Sequence, residues 1–173
     1  MAFSPDERYV YASSDQGDIY TFDLLQSGKC LNKFSDEGSF RTTHLALSPE
    51  GGWLATGSYS GIVNLYEMDR LSHSPLSTTP TKTIMNLTTA ISDIKFDPTG
   101  DLLAVCSKWK KNALRLIHTP TQTVYQNFPS GGVGVLKYAH AMGWSGDSRY
   151  FAMGNDEGRA VLYHLNHFSQ DEE

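Results

Sequence analysis

Several things are scarce in this sequence, and each scarcity narrows what it can be. The 173 residues hold two cysteines, Cys30 and Cys106, in unrelated contexts without metal-ligand spacing. A cysteine-built metal site is therefore excluded, and structural thiols in a reducing compartment are expected. No apolar run approaches the roughly 18 residues of a membrane-spanning helix, so no membrane partner is expected. The opening Met1-Ala2-Phe3-Ser4-Pro5-Asp6 lacks the basic and apolar regions of a signal peptide, which predicts an intracellular chain. Without such a signal, the acceptor-like Asn86-Leu87-Thr88 reads as a chance match. Positive charge is also short: 14 Lys and Arg face 19 Asp and Glu, a net charge of -5. That balance excludes a broad electrostatic grip on nucleic acid and leaves room only for a local basic patch.

What is present is turn chemistry, repeated. The composition is 39% apolar, 12% aromatic and 19% charged, which suits one globular domain, and 15 glycines suit many tight turns. Four apolar residues are each followed by a Pro/Gly/Asp turn: Phe3-Ser4-Pro5-Asp6, Leu47-Ser48-Pro49-Glu50-Gly51, Phe96-Asp97-Pro98-Thr99-Gly100 and Trp144-Ser145-Gly146-Asp147. Their first residues are 44, 49 and 48 positions apart, and Gly17, Gly61 and Gly158 each follow their anchor by 14. Two landmarks repeating in phase mark a structural repeat.

Each unit reads the same way. A strand follows the turn (Tyr9-Val10-Tyr11-Ala12, Trp53-Leu54-Ala55-Thr56, Leu102-Leu103-Ala104-Val105, Tyr150-Phe151-Ala152-Met153). A glycine-containing turn leads to a strand ending at Phe22-Asp23, Tyr66-Glu67, Ile117-His118 or Tyr163-His164. An outer strand comes next at Cys30 to Phe34, Thr83 to Leu87 and Thr123 to Phe128, with no counterpart after Tyr163. Four strands every ~45 residues is the blade of a WD40 β-propeller. The expected fold is all-β, with four blades of which the first and last are incomplete. Such a chain is expected to be the C-terminal part of a seven-bladed ring, with 1–168 the partial propeller and 169–173 an acidic tail. A stack lacking neighbours at both ends is expected to fold poorly alone and to associate through its open edges. The Gly-His pair usual before each anchor has no histidine here. The side-chain hydrogen-bond network of many WD40 blades is therefore expected to be absent, leaving apolar packing to join the blades.

Two loops depart from the pattern. Residues 72–81 form a Ser/Thr/Pro insertion, read as a tolerated surface loop in which Ser74-Pro75 and Thr79-Pro80 could take a proline-directed phosphate. Residues 130–134 form a glycine-rich connector that opens no helix and follows no phosphate-loop pattern.

Catalytic groups are hard to assemble. His118 and His164 stand where siblings carry an acid, so they read as structural, and His164 with His167 makes a poor metal pair on a strand. Ser4, Ser48 and Ser145 belong to the turn signature. No catalytic residue, cofactor site or metal site is expected. One hairpin tip stands out: the third is two residues longer and reads Lys108-Trp109-Lys110-Lys111-Asn112. Cations around an aromatic suit phosphate and a stacked base, or a partner's surface. The competing reading is a solvated tip whose tryptophan packs on a neighbouring blade.

Several strings together narrow the reading. They are Lys29-Cys30-Leu31, Asp36-Glu37-Gly38, Gly61-Ile62-Val63-Asn64-Leu65-Tyr66, Lys82-Thr83-Ile84-Met85-Asn86-Leu87, Leu114-Arg115-Leu116-Ile117-His118, Tyr125-Gln126-Asn127-Phe128-Pro129 and Tyr150-Phe151-Ala152-Met153-Gly154-Asn155-Asp156-Glu157-Gly158. Nearly the whole chain resembles the C-terminal half of the propeller in the family of U-three small-nucleolar-RNA-associated protein eighteen, WD40 subunits of the small-subunit processome. The resemblance implies a non-catalytic nucleolar scaffold in 18S ribosomal RNA maturation. Its implied partners are other WD40 subunits and the pre-rRNA and small nucleolar RNA particle. A WD40 adaptor of an unrelated intracellular complex stays open as an alternative. So does a propeller enzyme, which would need carboxylates or histidines converging on the central channel.

Overall fold

A computed structural model of the chain describes residues 1–73, 79–129 and 136–165. These form four antiparallel sheets in succession, each a meander in which neighbouring strands are consecutive in sequence. The first sheet holds β1 (Ala2–Phe3), β2 (Tyr9–Ser13), β3 (Asp18–Asp23) and β4 (Lys29–Ser35). The second holds β5 (Thr42–Leu47), β6 (Trp53–Ser58), β7 (Val63–Glu67) and β8 (Lys82–Ile84), with a helix α1 (Met68–His73) after β7. The third holds β9 (Asp93–Phe96), β10 (Leu102–Cys106), β11 (Leu114–His118) and β12 (Thr123–Val124). The fourth holds β13 (Ala139–Trp144), β14 (Tyr150–Asn155) and β15 (Ala160–His164). First strands of successive sheets lie side by side, and this is the layout of a partial WD40 propeller.

The repeat signature works locally. Phe3, Leu47, Phe96 and Trp144 each close a first strand, and the next residue caps the reversal. Ser4, Ser48 and Ser145 each accept, on the hydroxyl, the N–H of the residue five positions on, at 2.8, 2.9 and 2.9 Å. Asp97 does the same for Leu102 through Oδ1 at 2.8 Å. One position of this turn is left-handed in every copy: Glu7, Gly51, Gly100 and Ser148 have φ of 56°, 76°, 81° and 59°. Gly17, Gly61 and Gly158 are likewise left-handed. In the longer third hairpin Asn112 takes that role with φ 57°, as asparagine tolerates.

The two middle sheets are apolar on both faces, which is why β10 reads as an uninterrupted buried run. Leu103 and Val105 pack back toward Ala55 and Val63 of the second sheet and Ile91 of the connector that follows it. Ala104 and Cys106 face forward to Met142, Phe151 and Met153 of the fourth. Between the first two sheets Tyr11, Ile19 and Phe34 meet Leu54, Tyr66 and Leu71. Leu71 belongs to α1, which occupies the start of the segment expected to be all loop. An Arg70–Glu67 ion pair at 3.0 Å spans the first turn of this helix.

Of the outer strands, β4 runs one residue beyond the expected Cys30 to Phe34 at each end, while β8 and β12 end earlier than expected. β8 stops at Ile84, and Leu87 turns in to be buried beside the Ser58–Gly61 turn. β12 stops at Val124, and Phe128 packs edge-on to Tyr163 at 5.0 Å. Ser74 and Pro75, the 130–134 connector, His167, the proposed boundary at 168 and the acidic tail lie outside the described residues or reach beyond them.

Candidate functional site

The groups that could do chemistry are dispersed. Among the described residues no three of His, Cys, Asp and Glu gather to hold a metal, and no helix is long and apolar enough to cross a membrane. Ser4, Ser48 and Ser145 have their hydroxyls engaged by turn backbone, as their place in the signature requires. His118 shares a hydrogen bond with Thr121 at 2.7 Å, and the His164 ring lies 5.1 Å from Tyr150. Cys106 is buried, and that burial pushes its thiol up to about 11.

Turns between second and third strands meet the connectors from each fourth strand to the next first strand. This end of the stack is called upper below. The tip from Ser107 to Ala113 is pinned there on both sides. Ser107 N–H donates to the Ala113 carbonyl at 2.9 Å, closing the hairpin. Thr89 and Ser107 share a hydroxyl hydrogen bond at 2.7 Å, and Lys108 N–H donates to Ser92 Oγ at 2.9 Å. On the far side Asn112 N–H donates to the Lys137 carbonyl at 2.9 Å. The four residues singled out from the sequence are therefore brought together on a fixed loop. Trp109 is 64% exposed although blades flank it on both sides, so its ring does not pack away. Lys108 Nζ sits 5.3 Å from the Trp109 ring, and Lys111 Nζ 5.7 Å from the Tyr138 ring. Lys110 Nζ donates to Thr88 Oγ1 at 3.1 Å. Among the described residues none of the three lysines has a carboxylate partner in an ion pair.

The expectation that no side-chain network supports the blades is overturned in the second sheet. Asp36, 4% exposed, lies in the connector before β5 and is the hub. Its Oδ1 accepts from Thr56 Oγ1 at 2.9 Å, Asn64 Nδ2 at 2.8 Å and Tyr66 OH at 2.7 Å. Its Oδ2 accepts from Thr42 Oγ1 at 3.0 Å. Thr83 Oγ1 extends the network by donating to Asn64 Oδ1 at 2.8 Å, so all four strands of the blade take part. Burial first, and then the neighbouring Asp36 charge, hold the Tyr66 phenol well above the ordinary tyrosine range. The signal was available: an acid close to the missing Gly-His position, followed by Thr, Thr and Asn on successive strands.

Known proteins match this architecture. The WD domain, G-beta repeat family model matches residues 28–67 and 78–111. The human U3 small nucleolar RNA-associated protein 18 homolog is 42% identical over 167 residues, covering 96% of this chain and 30% of the relative. The Caenorhabditis elegans homolog is 39% identical over 169 residues, covering 96% of this chain and 39% of the relative. The Saccharomyces cerevisiae U3 small nucleolar RNA-associated protein 18 is 32% identical over 174 residues, covering 92% of this chain and 29% of the relative. The chain thus spans about a third of the length of the curated relatives it matches. Repeat spacing, four meander sheets and these similarities converge: the chain carries WD40 repeats, and over nearly its whole length it resembles U3 small nucleolar RNA-associated protein 18.

Proposed function

We propose that the chain is a non-catalytic scaffold segment of a nucleolar particle that carries U3 small nucleolar RNA and matures 18S ribosomal RNA. The observation that carries the reading is its similarity to U3 small nucleolar RNA-associated proteins across 96% of the chain. The fold supports a structural role, since the buried Ser48 and Asp97 cap turns and the buried Asp36 serves as a hub. On this reading its partners are other WD40 subunits and the pre-rRNA particle, and its place is the nucleolus. The outward face of the first sheet carries a Tyr20–Phe22 stack with ring centroids 6.3 Å apart, and the fourth sheet exposes Leu162. We read these as blade-packing faces of a longer, seven-bladed ring. Gradient sedimentation of lysate from cells expressing a tagged chain tests the reading. The chain should travel with large particles containing U3 small nucleolar RNA. Recovery only in light fractions devoid of that RNA would sink it and favour an adaptor of another complex.

A further inference from the structure

The upper end of the second and third blades carries more than the Trp109 tip. Phe40 is 83% exposed and Tyr59 60% exposed, and Tyr59 N–H donates to the Arg41 carbonyl at 2.8 Å. The Tyr59 turn and the Trp109 tip grip the same connector. An added Cβ at Gly61 would lie 2.6 Å from the Leu87 carbonyl oxygen and 2.9 Å from Thr89 N, while Ser107 and Lys110 bond Thr89 and Thr88. Phe40, Arg41, Tyr59, Trp109 and the three lysines therefore lie along one arc, with Lys111 at its far end against Tyr138. Segments 58–61, 87–92 and 107–112, which build the middle of the arc, contain no Asp or Glu. The carboxylates of this end are Asp93, which follows the middle connector directly and pairs with Lys95 at 3.7 Å, the buried Asp36, and Asp15, Asp18, Glu37, Asp156 and Glu157 of the flanking segments. In a chain of net charge -5 this is a concentrated exception.

We infer that the upper arc formed by Arg41, Tyr59, Lys108, Trp109, Lys110 and Lys111 binds single-stranded RNA. Bases stack on Trp109 and Tyr59, and the cations between them follow the backbone phosphates. Aromatic faces accept any base, so such a site reads strandedness more than sequence. The exposed indole is the feature that favours RNA over an acidic peptide. A peptide carboxylate needs only the cations, whereas an unpaired base also takes the ring. The pinned loop lowers the ordering cost of binding. This deepens the scaffold reading by naming the ligand of one face, and rests on it only for the source of the RNA.

The test is fluorescence anisotropy of a labelled single-stranded uridine oligomer against the purified chain, at several salt concentrations. With four arc cations on phosphates, log affinity should fall against log salt with a slope of roughly -3, since each single-strand contact contributes about -0.7. Trp109→Ala should weaken binding roughly 5- to 150-fold, the range for losing one stacked base. Trp109→Phe should recover much of that loss. Lys108→Gln with Lys111→Gln should flatten the slope by about 1.4. Trp109 is exposed, so its variants should keep the wild-type melting profile, and a matched duplex should bind less tightly than the single strand. The inference is overturned if the oligomer does not bind, if Trp109→Ala binds it as the parent does, or if polyglutamate competes as well as RNA. The assay holds no other subunit, so its failure leaves the particle reading to be decided by the gradient.

Discussion

Replacing Asp36 with alanine should do more damage than its size suggests. The carboxylate is buried, and four donors on three strands converge on it: Thr42, Thr56, Asn64 and Tyr66. Alanine strands all four at once. Each buried donor left without a partner costs about 1–3 kcal/mol, but the four share one acceptor and relax together, so their sum overstates the loss. Removing one member of a buried charged network costs about 3–5 kcal/mol in measured cases, and that is the figure to expect. A domain's whole stability is about 5–15 kcal/mol, so the blade holds only narrowly. For a chain of this size the same loss lowers Tm by roughly 6–20 °C. Asp36→Asn keeps an oxygen for the three donors on Oδ1 and turns an amide toward Thr42, which can accept. It should cost about 1–2 kcal/mol. Urea unfolding followed by tryptophan fluorescence reads both. Asp147→Ala is the control, because Asp147 accepts from Ser145 at 2.5 Å and from Arg149 N–H at 3.2 Å while standing in solvent. If Asp36→Ala shifted the urea midpoint no further than Asp147→Ala does, the hub would be idle and the reasoning wrong.

Two further predictions follow from charge and burial. Cys30 is exposed and Cys106 is buried with its thiol pushed up to about 11, so a thiol reagent at mildly alkaline pH should titrate one cysteine at once and the second only after denaturation. Two fast thiols would contradict the packing of β10. Lys33 Nζ lies 2.8 Å from Asp18 Oδ2, and this hydrogen bond, followed by that from Ser35, lowers the Asp18 carboxyl below its ordinary 3.8. A lowered acid adds stability above its unfolded pKa and loses it as pH falls through the lower folded value. Lys33, held above 10.5 by the same contact, loses its share only as pH rises through its raised value. Side-chain NMR should therefore find Asp18 titrating below 3.8, and Lys33→Ala should return it toward that value. An unmoved midpoint would remove Lys33 as the cause.

Apolar faces and the Asp36 hub divide the labour of holding the stack. Packing joins blade to blade, since each interior sheet contributes alternate residues to two cores. The hub ties the incoming connector to all four strands within one blade, and the Tyr66 ring stands edge-on to Phe34 of the preceding sheet at 5.3 Å. One carboxylate thus links both directions of the repeat.

By itself, the sequence determined whatever acts across a few residues. The cap after Phe3, Leu47, Phe96 and Trp144 satisfies a backbone N–H five positions away, so its chemistry had to be written locally and repeated. The same holds for the left-handed turn positions and for strands whose alternate residues face different cores. Only the tertiary structure decided what depends on distant partners. Asp36 meets Asn64 and Tyr66 across 28 and 30 positions, so their convergence on one carboxylate is set by the folded blade, even though an acid followed by Thr, Thr and Asn on successive strands was there to be read. The helix α1 exists because Leu71 finds a buried seat between two blades. The tip at Lys108 to Lys111 was legible as an aromatic among cations, yet its extension to Arg41 and Tyr59 was not. Those residues lie roughly 50 to 70 positions earlier and reach the arc only because successive blades stack in register, bringing every upper turn to the same end.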